Sequence, residues 1–274
     1  MTFGEPETRP PDSADLFSIV EFIRQSFAIG EVELRKIVRD PTELFSRAIQ
    51  PILWLVIFGQ VFSKVRGIPT GKISYLAFMC PGILAQSVLF SAIFYGIAVI
   101  WERDLGIIHK LLVSPSYRGA LVLGKAISAG FRGVVQAIII YLLAFLLNIE
   151  TRLSPEVVLG VLVAVILGSA IFSTFSLIIA CIVKTRERFM GIGQVLTMPT
   201  FFASNAIYPI AIMPPWLQVI ARINPLTYLV DILRGSMIQG GQSLYGFEFD
   251  FAVMGLVFVV LVSIASKLYT TLIQ

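Results

Sequence analysis

WERDLGIIHKLLVSPSYRGALVLGK, residues 101–125, lies between two long apolar runs and decides how the whole chain is read. Trp101, Leu105, Ile108 and Leu112 recur at i, i+4, i+7 and i+11. That spacing predicts one apolar stripe on a helix, with Glu102, Arg103, His109 and Lys110 on its other faces. Gly106 leaves a small surface, and Ser114-Pro115 stops the pattern. A short two-faced helix at the border of two apolar spans suits two jobs. It can lie passively on lipid headgroups, or it can dock into a groove on a soluble partner and pass motion to the spans on either side.

Working outward, the flanks are too greasy for a soluble domain. Of 274 residues, 57% are hydrophobic and 14% charged, against about 25% charged in a soluble domain. An all-α integral membrane protein follows, since about 20 apolar residues span a bilayer as a helix. Six spans are expected at about 48–63, 73–100, 126–149, 157–183, 189–213 and 251–272, the second interrupted by Pro81-Gly82. Before them, residues 1–15 read as a disordered cytoplasmic tail without a cleaved signal. Residues 16–41 read as an amphipathic interfacial helix, with Leu16, Ile19, Val20, Ile23 and Phe27 on one face and Arg39-Asp40-Pro41 ending it. A helix packed on a soluble partner would show the same pattern. The six-span domain then occupies 42–274.

Residues 216–238 are long enough to span but carry Arg222, Asn224, Pro225, Asp231 and Arg234. Each mid-bilayer charge costs roughly 2.5–3.5 kcal/mol on insertion scales. Two short helices hinged at Asn224-Pro225, dipping in from one side, are expected instead, with Asp231 and Arg234 at i, i+3, a spacing that allows them to pair. A seventh span is the alternative. Fifteen Lys and Arg fall on 1–47, 101–132, 184–188 and 267, and six fall on 64–72, 152 and 222–234. This asymmetry puts both termini and the 101–125 segment in the cytoplasm, and the hinged pair outside.

Glu102-Arg103-Asp104-Leu105-Gly106, then Leu111-Leu112-Val113-Ser114-Pro115 and Gly124-Lys125, resemble the signature of ABC-2-type transporter permeases. The resemblance extends to Arg39-Asp40-Pro41, Pro51 and Asn224-Pro225-Leu226-Thr227-Tyr228 followed by Asp231 and Arg234-Gly235. His109 is a departure, since many members carry a carboxylate there. The resemblance implies a membrane subunit of an exporter in the cell membrane. It implies two copies of a cytoplasmic ABC ATPase as partners, with ATP and Mg on those subunits and no cofactor in this chain. Trp101 to Gly106, Ile108, His109, Leu112, Ser114 and Pro115 would couple to the ATPase. Asn224, Pro225, Asp231 and Arg234 would form an external gate.

No nucleotide site is expected in the chain. Gly67-Ile-Pro-Thr-Gly71-Lys72-Ile73 is one residue short of a P-loop and lacks its hydroxyl. One histidine excludes a multi-histidine metal site, and Cys80 and Cys181 lack metal-ligand spacing and read as buried small hydrophobes. The basic residues are accounted for by topology, so no nucleic-acid partner is expected. Spans two to five hold almost no ionisable groups apart from Lys125 and Arg132, which disfavours an ion-coupled carrier. Gln60, Gln86, Ser87, Tyr95, Gln194, Met198, Phe201 and Asn205 are candidates for a translocation path, or for ordinary interhelical hydrogen bonding and packing. Six spans are few around a large cargo, so a second membrane subunit, a homodimer or close heterodimer, is expected. The expected function is export of a hydrophobic or amphiphilic compound such as a drug, lipid or natural product. Export of lipid-linked glycan, or a non-transporting scaffold or sensor, are the alternatives.

Overall fold

The computed structural model describes residues 21–32, 35, 39, 49–63, 73–106, 118–183 and 185–268. The tail 1–15 lies outside them, as do Leu16, Ile19 and Val20 of the first amphipathic face. Regular structure among the described residues is helical, apart from one isolated antiparallel bridge between Thr151 and Ile238. The helices are α1 (residues 21–32), α2 (Ile49–Ser63), α3 (Tyr75–Asp104), α4 (Arg118–Leu146) and α5 (Pro155–Ile182), followed by α6 (Arg186–Phe202), α7 (Pro215–Ile223), α8 (Pro225–Met237) and α9 (Phe247–Leu268). Four of them, α3, α4 from Gly119 on, α5 and α9, are long and apolar enough to cross a membrane. Helix α2 is shorter, with a π-helical stretch at Trp54–Gly59.

Helix α5 is the spine, packing on α3, α4, α8 and α9. Its apolar window is 56% buried, that of α3 78% and that of α9 only 11%, so α3 forms the core and α9 the periphery. Large apolar side chains point outward on several helices, including Leu142, Phe145, Val163, Leu256 and Val259. Such a surface is at home in lipid. Ser74 caps α3 by accepting from the Ala77 amide, and Thr185 caps α6 by accepting from the Arg188 amide. Asn148, in the left-handed region at φ 54°, turns the chain from α4 to α5.

The span boundaries differ from the sequence expectation in three places. Pro81-Gly82 does not interrupt α3, which runs straight through it. The pair instead marks a crossing: a Cβ on Gly82 would collide with the Ala206 carbonyl, so glycine lets the 203–208 segment lie against the helix. Helix α4 begins at Arg118, not near 126, so Lys125 and Arg132 are well inside a helix and both are buried. The fifth apolar run is not helical to 213. Helix α6 ends at Phe202 after 17 residues, about 25 Å at 1.5 Å per residue, and the chain then turns through Ser204 and a 3-10 turn at Ile210–Ile212. At its end the Ser204 hydroxyl donates to the Phe201 carbonyl, and Asn224 donates to the Thr200 and Ala203 carbonyls.

Helix α1 packs on the bundle through one face and leaves the expected apolar face outward. Ile23 and Phe27 are exposed. Contact with α4 is made by Phe22 at Gly119 and by Ser26, Ile29 and Gly30 at Gly124 and Ile127. Small residues on both helices let the backbones approach, as in membrane helix pairs. The Ile23–Phe27 face is left outward.

Candidate functional site

One end of the bundle carries the C-terminus of α3 and the start of α6. Arg186 stacks its guanidinium over the Trp101 ring at 3.4 Å and binds Asp104 at 2.9 Å. Arg103 holds the other Asp104 oxygen at 3.0 Å. Leu105 is 65% exposed, and Gly106 adopts φ +71°, which ends the helix. The helix expected over 101–112 is therefore not continuous: Trp101 to Asp104 are the last turn of a 30-residue span. Ile108, His109, Leu112, Ser114 and Pro115 lie outside the described residues.

Glu102 is turned away from this outer face. Its carboxylate is buried and accepts from Lys125 Nζ at 2.7 Å, joining α3 to α4. Tyr95 lies beneath, with Lys125 Nζ 5.4 Å and Arg132 Cζ 4.5 Å from its ring centroid. Arg132 also donates to Ser128 Oγ at 3.2 Å. Tyr95 thus faces two cations inside the bundle, and the Glu102 carboxylate points inward to α4. The spacing from residue 102 to 125 carries no periodic signal, so the pair was not legible before folding.

At the opposite end the chain makes the expected hinge. Asn224 closes α7 and caps α8, its Oδ1 accepting from the Leu226 amide at 3.0 Å, while Pro225 takes the first helical position. Asn224 Nδ2 donates to the Thr200 carbonyl at 2.7 Å and to the Ala203 carbonyl at 3.3 Å. Those are C-terminal carbonyls of α6 that lack helical partners, so one side chain fixes the ends of three helices.

Asp231 and Arg234, spaced so that they could pair, are satisfied separately. Arg234 donates to the Phe78 carbonyl through Nε at 3.3 Å and Nη2 at 3.2 Å, and to the Asn205 carbonyl at 2.7 Å. Its guanidinium stacks 3.7 Å from the Phe78 ring centroid. Asp231 Oδ2 accepts from the Leu244 amide at 2.6 Å, the Tyr245 amide at 3.1 Å and Ser243 Oγ at 3.0 Å. Main-chain dipoles of two different segments meet the two charges, which is why neither needs the other. Ser243 also lies 3.0 Å from Asp250 Oδ2. Neither Ser243 nor Asp250 stood out in the sequence, because Ser243 meets Asp250 and Asp231 across 7 and 12 residues of chain. Burial pushes the Tyr245 hydroxyl above its ordinary value.

The remaining path candidates do not share one surface within the chain. Gln86 and Ser87 are buried in the bundle, Ser87 donating to the Ile83 carbonyl at 2.7 Å. Phe201 is buried edge-on to Trp54 at 5.7 Å, and Asn205 is buried under Arg234. Gln60 and Gln194 are exposed and Met198 is half-buried. An apolar cavity of about 830 Å³ opens elsewhere, between α3, α5, α6, α7 and α9. Ile93, Phe172, Phe202, Trp216, Ile220 and Leu261 contribute to its wall, with Thr200, Tyr208 and Asn224 as polar groups. No cluster of three or more His, Cys, Asp or Glu that could hold a metal occurs among the described residues.

The sequence profile of the ABC-2 type transporter family matches residues 24–238. The chain is similar to the ycf38 transport permease of Cyanophora paradoxa, with 30% identity over 215 residues, 78% of this chain and 74% of the relative. It is 24% identical over 198 residues to the daunorubicin resistance ABC transporter permease protein DrrB1 of Streptomyces coeruleorubidus, covering 72% of this chain and 69% of the relative. It is 26% identical over 190 residues to nodulation protein J of Bradyrhizobium diazoefficiens, covering 68% and 71%.

Proposed function

This chain belongs to the ABC-2 type transporter family, and from that membership we propose that it exports a hydrophobic or amphiphilic compound, driven by ATP hydrolysis on a separate subunit. Permeases of this family are membrane transport subunits that work with an ABC ATPase and are not themselves catalytic. The observation that carries the cargo class is the 830 Å³ cavity walled by apolar and aromatic side chains. Its size lies within the roughly 300–1,000 Å³ of ligand pockets, and its few neutral polar groups suit orientation of an apolar body without demanding a charge. The daunorubicin resistance permease among the relatives supports the same class.

The proposed arrangement has six membrane passes, formed by α2, α3, α4, α5, α6 and α9. Both termini and the 101–106 turn face the cytoplasm, and α7–α8 dip in from outside. Two such chains pair in the plasma membrane with two ATPase subunits. The exposed Trp101–Gly106 end of α3, tied to α6 through Arg186, receives the ATPase stroke. Glu102 and Lys125 carry it sideways into α4. The Asn224 hinge and Arg234 hold the outer gate. Exposed Gln60 and Gln194 would face the second subunit at the path.

Reconstitution tests this. The chain with its ATPase in vesicles is expected to move a fluorescent lipophilic drug only when ATP is present on the ATPase side. The purified chain alone is expected to hydrolyse no ATP. Assembly of the complex with ATP hydrolysis but no movement of drug or labelled lipid overturns the export assignment.

A further inference from the structure

The structure assigns a proton-binding site to Asp250, where a neutral carboxyl group closes a clasp between α8, the 239–246 loop and α9. Asp250 is fully buried in the first turn of α9, and Asp231 is 1% exposed in α8. Ser243 Oγ stands 3.0 Å from Oδ2 of each, and it also accepts from the Gly246 amide at 2.7 Å. A serine hydroxyl has one hydrogen to donate and two lone pairs. It cannot donate to both carboxylates at once. One carboxyl must carry a proton and donate to Ser243, whose own hydrogen then goes to the other.

The surroundings decide which one. Asp231 Oδ2 accepts two backbone amides as well as the serine, an environment built for a carboxylate. Asp250 has no such donors, and its Oδ1 is buried without any hydrogen-bond partner. A charge there would be a desolvated carboxylate with one oxygen bare and a second carboxylate across a shared hydroxyl. The proton therefore sits on Asp250 Oδ2, and the chain of bonds runs from Asp250 Oδ2–H to Ser243 Oγ–H to Asp231 Oδ2.

Among the described residues no nearby cation substitutes for the proton. Arg234 is engaged by the Phe78 and Asn205 carbonyls. Tyr228 donates to the Arg222 carbonyl, and the Tyr228 and Tyr245 rings pack together at 5.5 Å. Arg222 lies by those tyrosines. Glu248 is exposed on α9 itself. Helices α4 and α5 pack on α9, and neither Tyr141 of α4 nor Glu156 of α5 hydrogen-bonds the cluster. Loss of the proton as pH rises would set two buried carboxylates against one hydroxyl and loosen α8 from α9. The clasp is thus closed at neutral pH and opened in alkali.

The test is infrared difference spectroscopy of the full purified chain at pH 7, against Asp250→Asn. An amide can donate to Ser243 as the protonated acid does, so this variant is expected to fold. The wild type should show the carbonyl stretch of a protonated carboxylic acid that shifts in heavy water, and Asp250→Asn should lack it. Melting temperature should fall from pH 7 to pH 9 in the wild type and fall markedly less in the variant. Should Asp250→Asn fail to fold, Ser243→Ala keeps the assignment testable: loss of its hydrogen bond should raise the frequency of the same band. No protonated-acid band in the wild type, a band that persists in Asp250→Asn, a band unmoved by Ser243→Ala, or stabilisation by added sodium or calcium in place of the proton each overturns it.

Discussion

Removing one member of the Glu102–Lys125 pair should unfold the protein far more readily than removing both. The two groups meet at 2.7 Å, with side chains 10% and 4% exposed. At an effective dielectric of about 20 their gross attraction is about 6 kcal/mol. Desolvation of two buried ions costs several kcal/mol each, so against an apolar pair the net contribution is near zero. Glu102→Ala leaves the Lys125 ammonium buried close to Arg132, which already faces the same Tyr95 ring. Breaking a buried pair in this way costs about 3–5 kcal/mol. At about 2–4 °C per kcal/mol for a chain of this size, the melting temperature should drop by about 6–20 °C. Lys125→Met should do the same by removing the ammonium 2.7 Å from the buried Glu102 carboxylate, whereas the Glu102→Ala/Lys125→Met double variant should recover most of the loss. The thiols of Cys80 and Cys181 are buried, so a thiol-reactive fluorophore reports unfolding in detergent. Single variants that melt with the wild type, or a double variant that melts at the sum of the two losses, would refute the coupling of these residues.

Three further outcomes follow from named contacts. Gly82→Val drives a side chain into the Ala206 backbone and should destabilise by about 1–3 kcal/mol or more, read as a lower melting temperature, while Gly160→Ala, where no atom lies within 4 Å of a Cβ, should leave it near wild type. Asn224→Ala strips the cap from α8 and two carbonyls of α6 of their donor, for a loss of about 2 kcal/mol. Proteolysis should then begin between residues 203 and 224, and cleavage elsewhere would count against the hinge role. Leu105→Asp alters only an exposed side chain, so it should keep the wild-type melting temperature yet reduce cargo moved per ATP in the complex. Undiminished transport would remove the coupling assignment from this turn.

Much of the architecture was legible in the chain because lipid imposes a simple rule: long apolar runs must be helices. The runs behind α3, α4, α5 and α9 are therefore readable one at a time, as is the hinge, since Asn before Pro both caps a helix and forbids its predecessor from continuing into it. Family membership was legible for a related reason, because short motifs in order survive without knowledge of contacts. What folding decided was every pairing across helices. Glu102 was placed on the outer face by its position near an apolar stripe, yet Lys125 draws it inward from 23 residues away. Asp231 and Arg234 looked like a pair at helical spacing, but main-chain groups from the loops on either side compete for them and win. Pro81-Gly82 reads as a break, and only the neighbouring Ala206 backbone reveals it as a place of close approach. The amphipathic pattern of a single helix states which residues avoid water. It does not state which neighbour arrives to meet the buried charges, because that is set by packing between segments distant in sequence, where burying an unpartnered charge costs more than any local preference can offset.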